Sequence, residues 1–82
     1  MREAEIYDQL TEIFREVFSD RNMVLRPELA AKDVQGWDSF KQVEIVIAVE
    51  EKYGVKFRGR ELGALRNVGD LARALLAKTA DP

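Results

Sequence analysis

Two residue types are missing from the 82-residue sequence altogether: it contains no cysteine and no histidine. Without cysteine the chain can form no disulfide, thiol nucleophile or cysteine-ligated zinc site. Without histidine no serine has an imidazole base within the chain, so a Ser–His triad is excluded. A serine paired with Lys41 or Lys52 is formally possible. We do not expect it, because so short a chain has little room for a closed cleft that lowers a lysine pKa.

The sequence also lacks a basic excess and a long apolar run. Its net charge is −2 and its pI about 5.1, which argues against a nucleic-acid-binding protein and permits docking onto basic protein surfaces. No segment is apolar enough for a membrane span, and the N-terminus does not resemble a signal peptide. With 46% hydrophobic and 34% charged residues, we expect one folded domain over residues 1–82, monomeric and cytoplasmic.

The longest helix-compatible run lies between Gly36 and Gly54. Asp38 is a candidate N-cap, Ser39 lies in the first turn, and Gly54 is a typical residue just beyond a helix C-terminus. The pattern therefore predicts a helix of about four turns that begins at a serine.

Apolar residues occupy two faces of this helix rather than one. One face carries Ile45, Val46, Val49 and Tyr53, and we expect it to face the core. The second face flanks the serine and carries Phe40, Val43 and Ile47. Either both faces are buried in a small bundle, or the second face docks a partner or ligand.

Helical periodicity and capping signals predict three more helices. The sequence thus predicts an all-α four-helix bundle, with three main helices, one short helix and a long first loop. The predicted segments are a helix over Met1–Phe18, a loop over Ser19–Gly36, a short helix near Arg60–Leu65, a helix over Asn67–Lys78 and a frayed end over Thr79–Pro82.

The predicted loop is long for a small domain, so we expect apolar side chains of the loop to pack against the bundle. Pro27 bars a regular helix through its middle but suits a short helical turn over Pro27–Ala31. The residues expected to make these contacts are Met23, Val24, Leu25, Leu29 and Val34. Asn67 should cap the last helix, with Asp70 completing an approximate capping box.

An ordered set of motifs in this chain resembles the acyl carrier proteins. The motifs are Asp38-Ser39-Phe40 followed by Val43–Val46 and Ala48–Glu51, then Gly54-Val55-Lys56-Phe57, and finally Asn67-Val68-Gly69-Asp70-Leu71. The resemblance spans nearly the whole chain. It implies that Ser39 carries a covalent 4′-phosphopantetheine and that Asp38 helps to place the serine and the metal of the modifying transferase.

The resemblance also implies a function and partners. The chain would be a free-standing acyl carrier protein, not an enzyme, that holds acyl intermediates as thioesters in a specialised fatty-acid, polyketide or related secondary pathway. Its partners would be a phosphopantetheinyl transferase and acyl-activating, synthase or acyltransferase enzymes. The predicted partner contacts are Phe40, Val43 and Ile47, with Glu44 and Glu50 as a polar rim. The missing cysteine agrees with a protein whose thiol is imported.

Alternatives remain open at the level of the sequence. An aminoacyl carrier, peptidyl or D-alanyl, would use the same attachment; the peptidyl type generally has Gly-Gly where this chain has Gly36-Trp37. An unmodified interaction module would use Ser39 only as a helix cap.

Trp37 should be a half-buried packing residue with its indole N–H near solvent, or else contact the prosthetic arm. Lys41 stands where the family commonly has an acidic residue, and a locally basic segment is formed by Lys56, Arg58, Arg60 and Arg66; both features should influence partner choice.

Overall fold

The computed structural model describes residues 2–79, and within that range it contains four α-helices, one 3₁₀ turn and no strand. The elements are α1 (Glu3–Val17), the 3₁₀ turn (Ala31–Asp33), α2 (Ser39–Tyr53), α3 (Gly59–Gly63) and α4 (Val68–Thr79). This confirms the predicted all-α class with three main helices and one short helix. None of the helices in residues 2–79 is both long and apolar enough to cross a membrane.

The core is one cluster of aliphatic and aromatic side chains from α1, α2 and α4. α1 packs against both of the other long helices, so its buried side lies at the centre of the bundle. The predicted core face of α2 is confirmed, with Val49 fully buried and Tyr53 half-buried. The largest fully buried side chains are Phe14, Ile6, Leu10, Ile45, Leu75, Val49 and Val68.

Local hydrogen bonds determine where α2 ends and where α3 begins. α2 ends just before Gly54, which has φ +65° and donates its N–H to the Glu50 carbonyl at 2.9 Å. α3 begins at Gly59, next to the predicted Arg60, but it ends at Gly63 rather than at Leu65. Its start is fixed by the Glu61 carboxylate, which accepts the Arg58 N–H at 2.8 Å.

Both ends of α4 differ in detail from the prediction. Asn67 caps the helix as predicted, because its Oδ1 accepts the Asp70 N–H at 2.8 Å. Asp70 does not complete a capping box; its Oδ2 accepts the Arg66 N–H at 3.0 Å instead. Thr79 was predicted to be frayed but lies in the helix, where its hydroxyl donates to the Leu75 carbonyl at 2.7 Å. The predictions for Met1 and for 80–82 fall outside the described residues.

The long loop differs from the prediction in two places. A single turn forms at Pro27 and Glu28, closed by the Leu29 N–H bond to the Arg26 carbonyl at 3.0 Å, but it does not continue as a helix to Ala31; the 3₁₀ turn comes later, over Ala31–Asp33. The Pro27 and Leu29 carbonyls are used elsewhere, since they accept the N–H groups of Gly69 and Val68 at 2.8 and 2.9 Å. Val24 does not pack against the bundle, because it is 71% exposed. The other four residues predicted to do so are half-buried or buried against the bundle.

Candidate functional site

Asp38 and Ser39 have separate roles at the start of α2. The Asp38 carboxylate accepts the Lys41 N–H at 2.9 Å, and its carbonyl accepts the Gln42 N–H at 3.0 Å. Asp38 is therefore the N-cap, as the sequence predicted. Ser39 is the first helical residue and is exposed. Its hydroxyl has no hydrogen-bond partner among residues 2–79, so capping does not account for this serine.

The first turn of α2 is suited to an anion. Within residues 2–79 the backbone N–H groups of Ser39 and Phe40 have no acceptor. Unpaired N–H groups at a helix N-terminus, together with the positive end of the helix dipole, stabilise negative charge. A phosphate attached to the Ser39 hydroxyl would lie next to these groups.

The second apolar face of α2 is on the surface. Phe40 is 72% exposed, Val43 56% and Ile47 50%, so of the two alternatives that the sequence left open, burial of both faces is excluded. Large apolar side chains that share one exposed face of a helix are typical of a docking surface. We call these three residues the exposed face.

A groove between α1 and α2 extends this face. It has a volume of about 400 Å³ and an apolar floor with glutamates at its edge. The α1 half of the groove could not be predicted from the sequence. The periodicity of α1 indicates only which side faces the core, and nothing in it shows that its flank lies beside the exposed face. The groove is lined by Ile13, Glu16, Val17, Glu44, Ile47, Ala48 and Glu51.

The two glutamates predicted as a polar rim have different surroundings. Glu44 lies at the groove, 3.4 Å from the Lys41 ammonium group. Glu50 is half-buried, and its carboxylate accepts the Phe57 N–H at 2.8 Å. Glu50 thus fixes the loop after α2, whereas Glu44 lies beside the exposed face. The structure brings Asp38, Ser39, the exposed face and Glu44 together along one helix.

Comparisons with known proteins decide the family. No family model matches the chain. The meromycolate extension acyl carrier protein of Mycolicibacterium aurum is 39% identical over 69 residues, which cover 84% of this chain and 71% of that protein. The acyl carrier protein of Acidothermus cellulolyticus is 37% identical over 70 residues, covering 85% and 83%. The solution structure of the holo acyl carrier protein from Geobacter metallireducens has a TM-score of 0.85 and 42% identity, over 89% of this chain and 84% of that one.

The chain belongs to the acyl carrier protein family. Acyl carrier proteins are carriers rather than catalysts, and they carry a 4′-phosphopantetheine arm. The start of α2 fits such a group: Ser39 offers an exposed hydroxyl for an ester bond, and the adjacent N–H groups suit a phosphate. When bound, the arm supplies the thiol on which a thioester is held, and this acyl carrier protein has no cysteine of its own.

Ser39 is distinct among the aliphatic hydroxyls of this acyl carrier protein. The sequence has two serines and two threonines. Thr11 and Thr79 each donate their hydroxyl to a backbone carbonyl of their own helix, at 2.7 Å. Ser19 lies just after α1 in the left-handed backbone region, with φ 51°. Ser39 is thus the one serine or threonine within residues 2–79 that lies at a helix N-terminus.

Proposed function

We propose that the Ser39 hydroxyl is the attachment point of 4′-phosphopantetheine, and that Asp38 supports the attachment by capping α2. The observation that carries the proposal is the division of roles at α2: Asp38 caps the helix, which leaves Ser39 exposed beside unpaired N–H groups. Membership of the acyl carrier protein family supports the choice of group.

The attachment chemistry requires a separate enzyme. The Ser39 oxygen forms a bond to the pantetheine-bearing phosphorus of coenzyme A, while the bond from that phosphorus to the 3′,5′-ADP oxygen breaks. The serine proton must leave to a base, and this chain has no histidine to accept it. A phosphopantetheinyl transferase would supply the base, and its products would be the modified carrier and 3′,5′-ADP.

As a carrier, the protein would hold acyl intermediates as thioesters and present them to synthase, acyltransferase and acyl-activating enzymes. The relatives named above are acyl carriers, which favours an acyl over an aminoacyl cargo. One of them is named for meromycolate extension, which agrees with a specialised fatty-acid or related pathway. We propose that residues 1–82 act as a single, monomeric carrier domain.

The exposed face would be the docking surface for these enzymes. Phe40, Val43 and Ile47 would make the apolar contacts, and the groove glutamates Glu44 and Glu51 would meet basic groups of the partner. Glu50 would support docking indirectly, by fixing the loop after α2, because its carboxylate already accepts the Phe57 N–H.

Two measurements test this function. After incubation with a phosphopantetheinyl transferase and coenzyme A, fragmentation mass spectrometry should place one phosphopantetheinyl group on the peptide that contains Ser39. In an NMR titration of the ¹⁵N-labelled carrier with the same transferase, the largest shifts should fall on α2 between Ser39 and Glu51. Modification of another peptide would contradict the attachment site, and shifts confined to α4 would contradict the docking surface.

A further inference from the structure

The C-terminal end of α1 and the first turn of α2 are joined by an aromatic contact. The Trp37 ring packs edge-on against Phe14 and Phe18, with ring centroids 5.4 and 6.0 Å apart. Trp37 is half-buried, as predicted. Its indole N–H was expected near solvent, but it donates to the Gln42 side-chain oxygen at 2.8 Å instead. Trp37 therefore connects the interior side of α1 to a residue one turn into α2.

Lys41 makes a second connection between the same two helix ends. Its ammonium group donates to the Val17 carbonyl at 3.2 Å and lies 3.4 Å from the Glu44 carboxylate. Val17 is the last residue of α1, where carbonyls lack intrahelical partners and a cation is favourable. Lys41 is consequently a half-buried link between helices rather than a fully solvated surface charge.

Ser39 lies between these two connections. On its N-terminal side, the Trp37 and Asp38 N–H groups donate to the carbonyls of Val34 and Gly36 at 3.2 and 3.0 Å. Gly36 has φ +87°, a conformation that favours glycine. The Ser39 side chain itself has no hydrogen bond among residues 2–79, so its neighbours set its position. We call Trp37, Lys41 and Gln42 the junction residues.

We propose that the junction residues are positioning residues for the modification of Ser39: they hold its hydroxyl in a fixed place relative to α1 without contacting the incoming group. The reason is geometric. A reacting atom must be held within a fraction of an ångström of its productive position, and a misplacement of about 1 Å can cost on the order of 100-fold in rate. The inference rests on the proposed attachment at Ser39 and names the residues that make this serine a good substrate.

Gln42 provides the sharpest test, because its bond can be removed or retained by similar side chains. Gln42→Met removes the acceptor for the indole N–H, whereas Gln42→Glu keeps an oxygen there and adds a negative charge that is favourable in a first helical turn. With a phosphopantetheinyl transferase and coenzyme A, we expect kcat for Gln42→Met to fall about tenfold and KM to change less than about twofold. Gln42→Glu should restore kcat to within about twofold of the wild type.

Matched controls separate positioning from general damage. Gln35→Met makes the same exchange at an exposed glutamine just before α2 and should leave kcat unchanged. Trp37→Phe keeps an aromatic ring, though a smaller one, and removes the N–H, so it should behave like Gln42→Met. Lys41→Met should lower kcat, while Lys52→Met, at an exposed lysine later in α2, should not. All rates are measured at a temperature at which circular dichroism shows every variant to be folded.

The results distinguish this inference from the proposed function. If the wild type is modified at Ser39 and Gln42→Met, Trp37→Phe and Lys41→Met are all modified at the wild-type kcat, the junction is only structural and the inference is overturned. The same conclusion follows if Gln42→Glu fails to restore kcat. If the wild type itself is not modified, the proposed function fails and the inference fails with it.

Discussion

At the scale of single residues, the start of α2 depends on the Asp38 carboxylate. It is the side-chain acceptor for the Lys41 N–H at the first turn of the helix. We predict that Asp38→Ala lowers the free energy of unfolding by about 1 kcal/mol, the usual cost of removing an N-cap. Asp38→Asn retains an oxygen acceptor and is the matched control. Urea denaturation measures both variants, and an Ala variant as stable as the Asn variant would show that the cap contributes nothing.

The local signals around Ser39 explain why this part of the site could be predicted from the sequence. An aspartate before the helix and a glycine after it fix the ends of α2 through bonds to residues three to five positions away. The direction of the Lys41 side chain could not be predicted, because its partner, the Val17 carbonyl, is 24 residues away. Trp37 was correctly predicted to be half-buried, but its indole partner was missed because nothing in the sequence shows that the Gln42 side chain is directed towards it.

At the scale of elements, the two apolar faces of α2 should respond in opposite ways to the same substitution. Val49 is fully buried, so Val49→Asp places an unpaired carboxylate in the core and should cost several kcal/mol. Val43 is 56% exposed, so Val43→Asp should change stability by about 0.5 kcal/mol or less. It should nevertheless weaken modification by the transferase, since it alters the docking surface.

Thermal unfolding and the transfer rate, measured on both variants, check this prediction. A large loss of stability in Val43→Asp would mean that the exposed face is part of the core. An unchanged transfer rate in Val43→Asp would mean that this face does not dock the transferase.

The helices were predictable as elements, whereas the course of the long loop was not. The periodicity of α1, α2 and α4 is contained within each helix, so their core faces follow from the sequence. The segment around Pro27 is fixed by backbone bonds to Val68 and Gly69, about 40 residues further along the chain. No local pattern reveals such partners, and a helical turn was predicted where the carbonyls are in fact used by α4.

At the scale of the whole molecule, two carboxylates in the C-terminal half should make stability depend on pH. Hydrogen bonds from the Arg66 N–H, and then from the Arg66 and Arg73 side chains, hold the pKa of Asp70 below its usual value. The Lys78 side chain, followed by the Arg58 N–H, lowers the pKa of Glu61. The Glu61–Lys78 ion pair, at 2.8 Å, links α3 to α4.

The sign of the pH effect follows from these lowered pKa values. A carboxyl group whose pKa is lower in the folded than in the unfolded state stabilises the fold above its unfolded pKa of about 4, and this contribution is lost as the pH falls through the folded pKa. The stability gap between wild type and Asp70→Asn should therefore be largest near neutral pH and should narrow as the pH falls below the unfolded pKa of about 4.

Unfolding midpoints across this pH range test the prediction. Asp8→Asn is the control, since Asp8 is exposed on α1 and has no ion pair or side-chain hydrogen bond among residues 2–79. A gap for Asp70→Asn that stays constant down to pH 2 would show that its ionic contacts do not contribute to stability.

The central claim, that this member of the acyl carrier protein family is loaded at Ser39, is tested most directly by intact-mass analysis of three proteins. Wild type, Ser39→Ala and Ser19→Ala, which together cover both serines of the chain, are incubated with a phosphopantetheinyl transferase and coenzyme A. Wild type and Ser19→Ala should each gain the mass of one phosphopantetheinyl group, while Ser39→Ala, folded by circular dichroism, should gain none. Modification of Ser39→Ala, or an unchanged wild-type mass, would contradict the account.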